Sequence, residues 1–195
     1  MAAHDYHFVT TWEIPAPIGE IVDVLGDAAD LPRWWPAVYL DVAVLEPGDE
    51  RGIGRVVSLF TKGWLPYTLR WRFRVTEVGE TGFAIEAFGD FVGRGVWTFT
   101  AIREAGAEGG PLTRVEYDWR IAAEKVLLRR LSFVMKPIFG RNHRWAMEQG
   151  RRSLLLEIAR RRAVAAGDAA TLAALPAPPP PTFPHNVLRR GRAGA

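Results

Sequence analysis

Over much of the chain apolar and polar residues alternate one for one. Phe8, Thr10, Trp12 and Ile14 share one face of a stretch that ends at Pro15-Ala16-Pro17, and His7, Val9, Thr11 and Glu13 share the other. From residue 67 to 78, Tyr67, Leu69, Trp71, Phe73 and Val75 alternate with Thr68, Arg70, Arg72, Arg74 and Thr76. Between 112 and 122 the same rhythm sets Val115, Tyr117, Trp119 and Ile121 against Arg114, Glu116, Asp118 and Arg120. A period of two marks a strand with one buried face. The pattern predicts strands over 7–14, 38–45, 53–62, 67–78, 83–88, 91–102 and 112–122. Turn chemistry separates them, as in Glu46-Pro-Gly-Asp-Glu50, Gly63-Trp-Leu-Pro66 and Gly79-Glu-Thr-Gly82. The last six follow one another through short connections, which makes an antiparallel meander. Between the first two strands, 18–25 predicts a short helix opened by Pro17 and closed by Gly26, and 31–36 a second helical turn.

The period changes near residue 137. Pro137 to Arg162 predicts one long helix, with Pro137 and Gly140 at its start and Gly167 beyond its end. At 100° per residue, Arg141, Arg144, Glu148, Arg151, Arg152 and Arg162 fall on one side. The opposite arc has bulky flanks: Trp145 and Leu156 on one, Met147, Leu154 and Ile158 on the other. Its centreline is small or polar: Asn142, Ala146, Gly150, Ser153 and Glu157. Such a helix grips its neighbours at its edges and leaves space in the middle. The fold class is α+β: a seven-stranded curved antiparallel sheet wrapped around a long C-terminal helix, with two short helices between strands 1 and 2.

Residues 1–166 form the expected domain, and 167–195 differ in kind. Residues 165–175 are rich in alanine and suit a prolonged helix. Pro176-Ala-Pro-Pro-Pro-Pro181 is a stiff spacer. Residues 182–195 add Val187-Leu188 and three arginines. The composition predicts disorder, and the same arrangement suits a docking peptide for a protein partner.

Composition narrows the function. There is no cysteine, so disulfides, thiolate nucleophiles and Cys-ligated metals are excluded. No stretch is apolar enough to predict a membrane span, and the opening residues do not resemble a signal peptide, so a cytoplasmic protein is expected. Residues 1–118 hold 10 Lys/Arg against 18 Asp/Glu, whereas 124–162 hold 11 against 3. The basic third either complements an acidic sheet or meets an anionic surface. Lys125–Phe139 interleaves basic and bulky apolar residues; it suits peripheral membrane contact or a capping segment against the sheet edge. Nucleic acid is not an expected partner, because the rings interleaved with Arg70, Arg72 and Arg74 point the other way.

Eight tryptophans is a high count. Rings facing the helix would suit a flat apolar ligand in a cavity of order 300–1,000 Å³, or they would simply fill the core. The candidate ligand-binding residues are Trp35, Tyr67, Trp71, Trp97, Phe99, Tyr117 and Trp119, with Asn142, His143, Ala146 and Gly150 from the helix. Of four histidines, only His143 lies near the helix's open arc, where it could serve as a base or orient a carbonyl. Glu157 reads as a pocket carboxylate or as a partner of Arg160 or Arg161. No pair of residues has metal-ligand spacing, and no cofactor is expected. Gly93-Arg-Gly95 lies inside a strand, where it marks a bulge or a close approach rather than a nucleotide loop. No serine sits in a Gly-x-Ser-x-Gly context.

The order of elements over residues 5–162 resembles the START-like, Bet v 1-like (SRPBCC) helix-grip superfamily. Leu31-Pro-Arg-Trp-Trp-Pro-Ala-Val38 is similar to the aromatic turn of its bacterial polyketide cyclase/dehydrase-type members, and Asn142-His143 with Met147–Gly150 is similar to their terminal helix. The resemblance implies a cavity between sheet and helix that takes apolar or amphipathic molecules such as lipids or polyketides. Some such proteins are aromatase/cyclases, but catalytic residues vary among them and none can be carried over. Binding or carrying of such a molecule is the leading expectation. A cyclase or dehydratase using Asn142, His143 or tyrosine hydroxyls is the alternative.

Overall fold

A computed structural model describes residues 5–123 and 126–182, with side chains for 6–122 and 137–182. The chain begins with β1 (Asp5–Ile14) and α1 (Ile18–Leu25). A single 3-10 turn (Ala28–Asp30) leads into α2 (Leu31–Trp34). Then come β2 (Tyr39–Glu46), β3 (Val56–Lys62), β4 (Thr68–Gly79), β5 (Gly82–Gly89), β6 (Phe91–Arg103) and β7 (Leu112–Ala123). The long helix α3 (Val126–Ala165) and the short α4 (Ala169–Ala174) follow.

The sheet has the order β1-β7-β6-β5-β4-β3-β2, and every neighbouring pair is antiparallel. The meander accounts for six of the strands, and β1 closes the set by pairing with β7, Trp12 opposite Val115. Alternation sorts the faces as the sequence demands. On β4, Leu69, Trp71 and Val75 are buried, while Arg70, Arg72 and Arg74 are exposed. The core lies between that inner face and α3, with α1 and α2 closing one end.

Two elements start three or more residues from the expected position. β3 starts at Val56 rather than 53, because the Asp49 carboxylate accepts the backbone N–H groups of Arg51 and Ile53 and holds them in a loop. α3 starts at Val126, eleven residues before the predicted start, and Pro137 lies inside it. A proline removes one intrahelical hydrogen bond, but packing on both sides can carry the helix through. The alanine-rich stretch is helical, but over 169–174 it forms a separate helix after Gly167 rather than a prolongation of α3, and Asp168 caps it: its carboxylate accepts from the Thr171 N–H and hydroxyl at 2.9 and 2.6 Å. Residues 183–195, and with them the Val187-Leu188 pair, lie outside the described residues. So does Lys125 of the suggested membrane-facing stretch, together with the side chains up to Lys136. Among the described residues, no helix is long and apolar enough to cross a membrane.

Candidate functional site

Toward its C-terminal end α3 is fixed to the rest of the molecule by buried side chains and a shared carboxylate. Leu154 and Ile158 are buried there. Glu157 is 3% exposed and accepts two hydrogen bonds from Arg33 of α2, at 2.9 and 2.6 Å, and one from Arg161 at 2.9 Å. Burial alone would raise its pKa, but the bonds from Arg33 and Arg161 outweigh that and hold it below the usual carboxylate range. Glu157 is therefore a structural anchor, as the ion-pair reading of the sequence had it. Arg33 also binds Asp30, so the cluster ties the Leu31–Trp35 turn to α3.

That turn aims Trp35 across the helix. A Cβ built at Gly150 would meet the Trp35 ring at 2.2 Å, so the indole occupies the gap that the missing side chain leaves. Trp35 also meets Trp34, Tyr39 and Trp12, at centroid distances of 5.5, 5.1 and 6.2 Å. The Trp34 and Trp35 indole N–H groups and the Ser153 hydroxyl have no hydrogen-bond partner among the described residues.

Toward the other end of α3 the helix and sheet separate around a pocket of about 140 Å³. Trp71, Tyr117 and Trp119 form its sheet wall, Tyr67 and Gly63 belong to its rim, and Asn142, His143, Ala146 and Met147 form its helix wall. Trp35 closes its inner end. Eight of the eleven candidate residues line it; Trp97, Phe99 and Gly150 do not. Trp97 stacks on Tyr117 at 4.1 Å, and Phe99 is buried among Phe83 and its neighbours. Gly95 provides the room for that stack, since a Cβ there would meet the Tyr117 hydroxyl at 2.6 Å. The glycines of Gly93-Arg-Gly95 thus serve close strand packing, not a ligand. Because rings fill the centre of the sheet and Trp35 fills the notch at Gly150, the pocket is smaller than the sequence led one to expect. A cavity of roughly 150 Å³ holds a benzene-sized molecule.

The polar groups of the pocket are unevenly available. Asn142 Oδ1 accepts the backbone N–H groups of Trp64 and Leu65 at 2.9 and 3.3 Å, so it fixes the β3–β4 loop. His143 lies flat on Phe8 with centroids 4.4 Å apart, and its Nε2 is 3.3 Å from Thr10 Oγ1. Burial, with help from the positive charge of Arg144, pulls its pKa down to about 4, so the ring is neutral at pH 7. Burial pushes the Tyr67 phenol up to about 12 and the Tyr117 phenol well above its ordinary value, so both stay protonated hydrogen-bond donors.

Lys62, at the end of β3, also lines the pocket and is 2% exposed. Sequence reasoning missed it. Alternation places it with Ser58 and Phe60 on the solvent face, and it is contact with residue 182 that helps to cover it. Tyr39 was missed too; it follows the tryptophan turn and inherits its place from Trp35. A second depression, of about 490 Å³, lies on the outer face among Asp41, Ser58, Phe60, Arg70 and Arg72. Its charged walls do not suit an apolar ligand. Among the described residues, no group of His, Asp or Glu is placed to hold a metal ion.

Comparisons with known proteins agree with this architecture. No curated protein matches the sequence significantly. Among solved structures, the Zhui aromatase/cyclase from Streptomyces sp. R1128 superposes with a TM-score of 0.57 at 20% identity, covering 83% of this chain and 98% of its own. A Thermus thermophilus protein gives 0.54 at 14% identity, covering 77% and 97%. A Thalictrum norcoclaurine synthase point mutant, solved with a transition-state analogue, gives 0.51 at 14%, covering 78% and 95%. At such identities the likeness is one of fold, and the fold is the helix-grip. The family model described as "Polyketide cyclase / dehydrase and lipid transport" matches residues 6–154, most of the chain, and the chain is therefore a member of the polyketide cyclase/dehydrase and lipid transport family.

Proposed function

We propose that this protein binds or carries an apolar or amphipathic small molecule whose apolar end enters the pocket between sheet and α3. One observation carries the reading: the helix and sheet part where α3 turns small and polar, and the space is walled by Tyr67, Trp71, Tyr117 and Trp119. Rings with protonated phenols favour an uncharged aromatic or short aliphatic moiety. The volume supports one ring or a short chain inside, with any larger body projecting through the mouth. Native mass spectrometry of freshly purified full-length protein tests this. The expected result is a small organic adduct that Ala146→Phe abolishes by filling the pocket. Absence of any adduct, together with no saturable binding of single-ring probes, would overturn it.

A second reading, a cyclase or dehydratase, is supported by the presence of Lys62, Tyr67, Tyr117 and a neutral His143 in one lining. A neutral imidazole can accept a proton, and phenols can stabilise an enolate oxygen. Turnover of a polyketone substrate, lost in His143→Gln, would favour this reading over simple carriage.

A further inference from the structure

Several polar groups of the pocket lining are already engaged within the chain. Asn142 Oδ1 holds the β3–β4 loop, and Thr61 Oγ1 accepts from the Trp71 indole N–H at 3.0 Å. The Lys62 ammonium donates to the Thr182 carbonyl and has a further interaction besides, so its charge is engaged too. The phenols of Tyr39 and Tyr117 differ. Both residues line the pocket, and neither phenol makes a hydrogen bond among the described residues.

Nor are these two oxygens walled in. The buried side-chain polar atoms that are sealed off without a partner belong to Trp34, Trp35 and Ser153. Tyr117 is only 7% exposed, so the surface that its oxygen keeps opens inward, onto the pocket. Both rings are held in place. Tyr117 lies between Trp97 and Trp119, stacked on each, with centroids at 4.1 and 5.5 Å. Tyr39 stands edge-on to Trp35 at 5.1 Å.

Tyr39 comes from β2, at one edge of the sheet, and Tyr117 from β7, beside the other edge. The curved sheet brings them to one space. Burial raises the pKa of both phenols, and the nearby Tyr39 phenol adds to the rise at Tyr117. Two fixed, protonated donors thus open onto one small pocket, and their partner must come from water or from a ligand. A carbonyl oxygen has two lone pairs and no proton of its own to place. It can take both donors and ask nothing polar of the ring walls.

Building on the pocket reading above, we propose that Tyr39 and Tyr117 together bind a carbonyl oxygen, and that the ligand is an uncharged aryl or short-chain ketone or ester. Its oxygen accepts from both phenols while its apolar part lies against Trp71 and Trp119. The pair selects among molecules of the right size, because a hydrocarbon of the same shape leaves both phenols without a partner. This holds whether the ligand is carried or converted.

Two probes of one shape test it: acetophenone, and α-methylstyrene, in which a C=CH2 group replaces the C=O. Both are titrated by NMR into the full-length protein, Tyr39→Phe and Tyr117→Phe. Each substitution removes one oxygen and keeps the ring. Each should weaken acetophenone about fivefold and leave α-methylstyrene within about twofold. With the carbonyl carbon isotopically labelled, the bound acetophenone resonance should move upfield in each variant, as one hydrogen bond to the oxygen is lost. An acetophenone affinity that survives Tyr39→Phe or Tyr117→Phe unchanged, or both probes weakened alike, would overturn the proposal while leaving pocket binding intact. Failure of both probes to bind the unsubstituted protein and both variants would overturn the pocket reading as well.

Discussion

From Gly150 to Ala163, α3 packs as a core helix. Leu154, Ile158 and Ala163 are buried, and Glu157 gathers arginines from two elements. From Phe139 to Met147 the same helix packs as a wall: of these residues only Met147 is fully buried, and Phe139, Asn142, His143 and Ala146 face the pocket. The centreline of small and polar residues runs through both halves, yet it has opposite outcomes. At Gly150 the space is filled by Trp35, delivered by a turn that Glu157 holds in place. Near Ala146 no ring among the described residues fills the gap in the same way, and a pocket remains. A notch in a helix is therefore a cavity only where no neighbouring element carries a ring to it.

Breaking the anchored half should cost the most. Glu157→Ala removes the shared acceptor of Arg33, Arg160 and Arg161, and should lower unfolding stability by about 3–5 kcal/mol in a denaturant titration. Acid should then separate the two halves. His143 has a folded pKa near 4 against an ordinary 6.5, so the unfolded chain takes up the proton first as pH falls. Stability from this neutral ring is intact above about pH 6.5 and drains away between there and pH 4, by about 3 kcal/mol in all. Glu157 behaves differently: with its folded pKa lowered, its contribution is present above the ordinary carboxylate value and is lost only as pH falls through the lowered one. Unfolding midpoints measured from pH 7 to 3 should show the first loss disappear in His143→Gln and the second remain.

Smaller effects sharpen the contrast. Gly150→Ala sets a methyl against the Trp35 ring and should cost about 1–3 kcal/mol, and it should also weaken ligand binding by pushing the indole toward the pocket. Ala146→Phe fills open space instead. Its stability should change by less than about 1 kcal/mol while ligand binding is lost, and finding Ala146→Phe as destabilising as Gly150→Ala would erase the distinction between filled and open notches.

The strands could be read from alternation because a one-residue slip would turn every ring of β4 or β7 toward water, which leaves one workable register. The long helix could be read from its charged arc, but its start could not. Pro137 looked like a beginning, and whether a proline opens a helix or merely interrupts its bonding depends on what packs around it. Tyr67, Trp71, Tyr117 and Trp119 faced the helix by parity alone. Parity could not tell them from Trp97 and Phe99, which point the same way and are covered by other rings.

Lys62 and its contact with Thr182 lay beyond the sequence altogether. Local pattern put this lysine in solvent and the proline segment outside the fold, and their meeting joins positions 120 residues apart. The sequence by itself determined which residues share a face, because backbone geometry imposes a period of two or of 3.6 on neighbours. Only the tertiary structure decided which faces are filled, capped or left open, because those outcomes depend on where distant elements come to rest.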